Sequence, residues 1–237
     1  MGWSELSHQW KETIKLKQPI AIAFVEHPPE GISRVSEVAP SACTYWRRGE
    51  QELFYTTAED HYNCPIGLMT MGFSLSAEKH QEAQTLVATM ASLHYFDPAE
   101  VQYLPTIKKA HNIIVYGPLE NFPIDPDIII LMLTPYQAML ASEALGGLAW
   151  AEQPRFGMFG RPACAAIPMA EQLSHPTASL GCIGARTYLS ILPAEMLMVI
   201  PAAQFSQATA KLVTIADANQ QLAGYHNERA QTISTNH

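Results

Sequence analysis

The run Ile128-Ile129-Ile130-Leu131-Met132-Leu133 is apolar throughout. It has the length of a strand and falls far short of the roughly 20 apolar residues that span a bilayer. Alternate side chains of a strand point to opposite faces, so a strand apolar at every position must be covered on both sides. Ile20-Ala21-Ile22-Ala23-Phe24-Val25, Asn112-Ile113-Ile114-Val115-Tyr116 and Met196-Leu197-Met198-Val199-Ile200 make the same demand. After the strongest run, Thr134 can cap a helix whose first position is Pro135 and whose end is Gly146-Gly147. Strand, tight turn and capped helix in that order predict an α/β fold.

The intervening segments read as helices and loops. Trp3, Leu6, Trp10 and Ile14 recur at helical spacing and predict an N-terminal helix over 3–16. Ser76 caps a helix over 77–93, with Ala83, Leu86, Val87, Met90 and Ala91 as its buried stripe. Residues 97–111 form a connector. Pro201 opens a last helix carrying Phe205, Ala208, Leu212, Ile215 and Ala216, and the polar tail 225–237 is expected to be loose. Two of these helices resemble one another, Gln84–Ala91 against Ala210–Ala216. A chain of 237 residues is expected to form one globular unit, with halves over about 19–96 and 112–224 related by internal duplication.

Composition narrows the function. With 14 Lys and Arg against 22 Asp and Glu the net charge is -8, which argues against nucleic acid and anionic membranes as partners. Arg47-Arg48 is the one arginine pair, read as a solvated loop. The start, Met1-Gly2-Trp3-Ser4-Glu5, has no basic stretch followed by an apolar run, so the expected compartment is the cytoplasm, where cysteines stay reduced. A homo-oligomer is compatible with everything in the sequence.

The four cysteines fall in two loops that echo each other. Ser41-Ala42-Cys43 leads to His61-Tyr62-Asn63-Cys64-Pro65-Ile66-Gly67, and Pro162-Ala163-Cys164 leads to Leu180-Gly181-Cys182-Ile183-Gly184-Ala185-Arg186. Each loop opens on Ala-Cys and closes on a Cys soon followed by Gly. Three chemistries fit. Cys43, Cys64, Cys164 and Cys182 could together ligate zinc or an iron–sulfur cluster, with Gly67, Gly181 and Gly184 letting backbone amides approach the sulfurs. Neither zinc-ribbon nor ferredoxin spacing is present. Alternatively Cys64 or Cys182 reacts with a small anionic molecule, oriented by Arg186 in an amide-rich turn. The third reading is plain packing, since free Cys is among the most buried residue types. Cys43 and Cys164 suit it best, and Ala163-Cys164-Ala165-Ala166-Ile167 reads as a buried strand. A tetrapyrrole would need apolar walls from 68–73 and 156–159.

Among the other chemistry-bearing residues, His61 is the best ligand or acid–base candidate, in the polar loop Ala58-Glu59-Asp60-His61 beside Cys64. His80 is expected on an exposed helix face. Glu143 and Glu152 flank Gly146-Gly147 and read as solvated carboxylates. Gly157-Met158-Phe159-Gly160 lacks the spacing of a dinucleotide fingerprint.

At Thr57-Ala58-Glu59-Asp60-His61-Tyr62-Asn63-Cys64-Pro65-Ile66-Gly67 the chain resembles the bacterial and archaeal family catalogued as domain of unknown function 169. Asp125-Pro126-Asp127, Gly160-Arg161-Pro162-Ala163-Cys164, Gly181-Cys182-Ile183-Gly184-Ala185-Arg186 and Ile200-Pro201 carry the same resemblance, from Pro19 to Tyr225-His226. It implies a soluble prokaryotic protein in which the cysteine loops recur, which weights Cys64 and Cys182 toward function. It implies no particular reaction.

Overall fold

The structure is a computed structural model, described here at residues 1–95, 97–151 and 162–235. It is a mixed α/β protein built on one seven-stranded sheet. The strands are β1 (Ile20–Val25), β2 (Phe54–Thr56), β3 (Ile113–Pro118), β4 (Ile128–Leu133), β5 (Ala149–Trp150), β6 (Thr177–Ser179) and β7 (Met196–Pro201). They lie in the order β2-β3-β1-β4-β7-β6-β5. Neighbours are antiparallel except β5 and β6. At the centre β1 pairs with β4, Ile20 opposite Ile130.

The all-apolar runs are covered on both faces, as their composition demands. Ile20, Ile22, Phe24, Ile114, Tyr116, Ile128 and Ile130 point into one layer, and Ala21, Ala23, Ile113, Val115, Ile129 and Leu131 into the other. Helices α1 (Trp3–Ile14), α5 (Pro135–Leu145) and α8 (Ala202–Thr235) cover the second face. There Trp10 stacks on Phe205 with ring centroids 4.4 Å apart and donates from its indole to Thr209 Oγ1 at 2.8 Å. The first face is covered by α2 (Thr44–Gly49), α3 (Pro65–Thr70), α6 (Ala166–Leu173) and α7 (Ile183–Tyr188). All four cysteines lie in or beside these covering segments.

Several expectations need correction. Ala163-Cys164-Ala165-Ala166-Ile167 is not a strand. It is a 3₁₀ turn (Ala163–Ala165) running into α6, because its small and apolar residues line the underside of a helix against the sheet. Helix α4 (Ala77–Ser92) has its Ser76 cap, the hydroxyl accepting from Lys79 N at 3.2 Å, but of its expected stripe only Ala83 is buried. Val87 and Met90 join a small satellite cluster with Ile66 and Leu104 instead of the main core. The polar stretch after Tyr225 continues α8 as helix to Thr235, with the side chains of residues 226–234 exposed. Among the described residues no helix is long and apolar enough to cross a membrane.

Candidate functional site

Each cysteine stands at a helix start on one face of the sheet. Cys43 is the N-cap of α2, Cys64 of α3 and Cys182 of α7, while Cys164 sits in the turn that enters α6. Free amides at a helix start suit an electron-rich acceptor, and two of the sulfurs use one. Gly67 N donates to Cys64 Sγ at 3.4 Å and Ala185 N to Cys182 Sγ at 3.3 Å. The other two face hydroxyls: Ser41 Oγ lies 3.0 Å from Cys43 Sγ and 3.8 Å from Cys64 Sγ, and Thr70 Oγ1 lies 3.3 Å from Cys164 Sγ.

The sulfurs also act on one another. Burial pushes the Cys43 thiol up to about 12, with Cys64 and Cys182 adding to the rise. Cys164 is raised well above the thiol range by burial, then by Cys64, Cys182 and Cys43. Part of the Cys164 residue reaches solvent, but its sulfur is enclosed against Thr70, so the enclosed environment governs its ionisation. The four thiols are free. Among the described residues no three His, Cys, Asp or Glu are grouped to hold a single metal ion, so the expected tetrahedral zinc shell is not assembled.

The glycines act as spacers. A Cβ on Gly67 would come within 2.6 Å of Ala42 Cβ and 3.0 Å of Cys64 Sγ, so only glycine lets α3 lie against the Ala42-Cys43 turn. Gly181 has φ +85, a left-handed conformation that glycine adopts without strain. Gly184 has no comparable constraint; its nearest contact is Cys182 Sγ at 3.8 Å.

His61 is not in a polar loop. Asp60 closes a capping box with Thr57, accepting from Thr57 N at 2.7 Å. Arg34 engages the outward carboxylates, Asp60 Oδ2 at 3.0 Å and Glu59 Oε2 at 2.9 Å. That turn rotates His61 inward, between Tyr45 and Phe73, with ring centroids 5.3 Å from each. Its Nε2 pairs with Thr56 Oγ1 at 2.9 Å, and its buried Nδ1 has no partner. Burial first, and His111 in addition, drive its pKa down to about 3 despite Asp60, so the ring is neutral and turned into the core.

Arg186 is committed to its own loop. Its Nη1 donates to Leu192 O at 3.1 Å, and its Nη2 to Leu180 O and to Glu195 O, the latter at 3.2 Å. It ties the Gly181 turn to the lead-in of β7. Arg47 and Arg48 lie on α2 instead of a loop. Arg47 pairs with Glu50 at 3.0 Å and Glu195 at 3.2 Å, and Arg48 with Glu37 at 3.3 Å and Glu52 at 2.9 Å. They line a cleft of about 640 Å³ beside Ala39-Pro40, Thr44 and Tyr188.

Of the tetrapyrrole walls, Leu68 and Met71 are core residues, and 156–159 lie outside the described residues, as do Glu152 and Gly157–Gly160. Glu143 accepts from Asn219 Nδ2 at 2.7 Å. His80 is exposed as expected. Sequence reasoning missed Ser41, Thr70 and Tyr116, the hydroxyl residues of the cysteine layer. Tyr116 was detectable as the one side-chain hydroxyl in an otherwise apolar strand.

The comparisons with known proteins are consistent with this frame. Residues 11–211 match the domain of unknown function 169 family, described as "Uncharacterised ArCR". An uncharacterized protein of Methanocaldococcus jannaschii is 25% identical over 183 residues, covering 74% of this chain and 77% of that protein. No solved structure matches the chain. The matched span includes every strand and all four cysteines, and the chain belongs to the domain of unknown function 169 family.

Proposed function

We propose that the protein is a redox protein that holds an iron–sulfur cluster between its two cysteine loops, with Cys43, Cys64, Cys164 and Cys182 as ligands. The observation that carries this reading is the placement of four cysteines at four helix starts in one layer of the fold, each sulfur facing a hydroxyl or a backbone amide. Burial keeps Cys43 and Cys164 as neutral thiols in the free protein, and a bound cluster would supply the positive charge that lets them ligate as thiolates. A single ion with sulfur bonds near 2.3 Å needs its ligands much closer together. A cluster distributes four thiolates over several irons in a wider cage. Amide donors to cluster sulfurs are among the features that set reduction potential.

The same reading includes descent of the two loops from a duplicated unit. Cys43, α2, β2, Cys64, α3 and later β3 follow in the same order as Cys164, α6, β6, Cys182, α7 and β7. The strand order β2-β3-β1-β4-β7-β6 is unchanged when β1 is exchanged with β4, β3 with β7 and β2 with β6, as a pseudo-twofold between β1 and β4 would make it.

The test is protein purified without oxygen, analysed for iron and acid-labile sulfide and by visible absorption. Iron and sulfide in equal amounts, lost together in Cys64→Ser and in Cys182→Ser, are expected. Wild-type protein that stays colourless and iron-free after reconstitution with iron and sulfide would end this reading.

A further inference from the structure

The segment that leads into α2 and the segment that opens α3 lie side by side. Asn63 Nδ2 donates to Ala39 O at 3.0 Å, and α3 rests on Ala42 so closely that only glycine fits at position 67. Between the two segments the buried Ser41 places its Oγ 3.0 Å from Cys43 Sγ and donates to Cys64 Sγ at 3.8 Å. Cys43 and Cys64 therefore share one hydroxyl. Cys164 and Cys182 have separate partners, Thr70 Oγ1 for the first and Ala185 N for the second. A serine hydroxyl carries a single proton. With that proton turned to Cys64, the Ser41 oxygen is left to accept from the Cys43 thiol. Cys64 Sγ also accepts from Gly67 N at 3.4 Å, so it is the acceptor of two contacts and Cys43 is the donor. Exposure differs in the same sense: Cys64 is half-buried and Cys43 is buried.

We infer that Cys64 and Cys43 are a dithiol pair that reacts with a hydroperoxide, Cys64 attacking and Cys43 closing a disulfide onto it. The Cys64 thiolate attacks one oxygen of the hydroperoxide. The O–O bond breaks, the departing oxygen takes up a proton and leaves as alcohol or water, and Cys64 is left as the sulfenic acid. The Cys43 sulfur then attacks the Cys64 sulfur. The S–O bond breaks, the hydroxyl leaves as water with the Cys43 proton passed along Ser41, and an S–S bond joins the two residues. The peroxide gains two electrons and the two thiols lose them. Disulfide sulfurs lie about 2.05 Å apart, so both side chains turn from the Ser41 hydroxyl toward each other. Ser41 is a positioning residue for the second step. The inference concerns the chain with its thiols free and does not rest on the iron–sulfur reading.

The test is reduced, chelator-treated full-length protein given one equivalent of hydrogen peroxide, with its peptides then mapped by mass spectrometry without reduction. Wild type is expected to yield Cys43 joined to Cys64, the pair lighter by two hydrogens. In Cys43→Ser the sulfenic acid should persist on Cys64 and be captured there by dimedone. In Cys64→Ser the Cys43 peptide should remain a free thiol. Ser41→Ala should close the disulfide more slowly than wild type and so give more dimedone capture at Cys64. Wild-type protein that keeps both thiols free, that joins Cys64 to Cys164 or Cys182 instead, or that forms its sulfenic acid on Cys43 would overturn the inference, and the wild-type map decides this even where a variant fails to fold. Iron plays no part in the readout, so failure of the cluster reading leaves this result standing, and failure here leaves the cluster reading untouched.

Discussion

The Thr70 hydroxyl lies 3.3 Å from the Cys164 sulfur. Thr70 ends the helix that begins at Cys64, so one turn-and-a-half of α3 links the second cysteine of the first loop to the first cysteine of the second. Ser41 bridges Cys43 and Cys64 by its hydroxyl, and the backbone of α3 connects that pair to Cys164.

That arrangement separates the thiols by reactivity. Burial raises Cys43 to about 12 and holds Cys164 well above the usual thiol range, and the thiolate is the reactive form. In reduced, metal-free native protein, iodoacetamide should modify Cys64 and Cys182 well before Cys43 and Cys164. Peptide mass spectrometry at timed intervals reads the order. First labelling at Cys43 or Cys164 would contradict the enclosure described for their sulfurs.

Gly67 lies three residues after Cys64 and Gly184 two after Cys182, and the two differ in room. Gly67→Ala forces a Cβ to within 2.6 Å of Ala42 Cβ, and overpacking of this kind costs about 1–3 kcal/mol. Gly184→Ala meets nothing closer than 3.8 Å and should fold within about 0.5 kcal/mol of wild type. Urea midpoints of the two variants test the contrast, and equal losses would refute it.

His61 makes stability depend on pH in a defined direction. Its folded pKa is about 3 and its ordinary value 6.5. Below 6.5 the unfolded chain binds the additional proton, so this contribution is complete above that pH and is lost as pH falls toward 3. The full effect is on the order of a few kcal/mol. His61→Gln keeps a donor for Thr56 without titrating. Between about pH 6.5 and 5 the wild-type urea midpoint should fall more steeply than the variant's. Parallel slopes would mean that His61 is not buried and neutral.

On the opposite face, Thr209 Oγ1 accepts the buried Trp10 indole N–H at 2.8 Å. Thr209→Val keeps the shape and strands that donor, at a cost of about 1–3 kcal/mol. Thermal melting measures it. Because the cysteine layer is on the other side of the sheet, the cysteine labelling order should not change.

The fold was legible wherever one residue pattern had one structural solution. The apolar runs at 20–25 and 128–133 had to become doubly covered strands, and Thr134-Pro135 had to start a helix. Strand order was not legible, because an all-apolar strand gives no information about its neighbours. Ala163–Ile167 was misread because small apolar residues suit a buried strand and a buried helix equally. At the site, the four cysteines and Gly67 were visible in sequence. His61 and Arg186 were seen, but their orientations were not. These depend on partners distant in the chain or on loop carbonyls: Tyr45 and Phe73 flank His61, and Leu180, Leu192 and Glu195 hold Arg186. Thr70 reaches Cys164 only through the packing of two segments far apart in sequence.

The most direct test of the central claim is a native mass spectrum of protein purified and sprayed without oxygen. The account predicts the 26.1 kDa chain carrying an added mass of iron and sulfide in a fixed ratio. That addition should be absent from Cys64→Ser and Cys182→Ser. A wild-type spectrum showing only the bare polypeptide, before and after reconstitution, would contradict it.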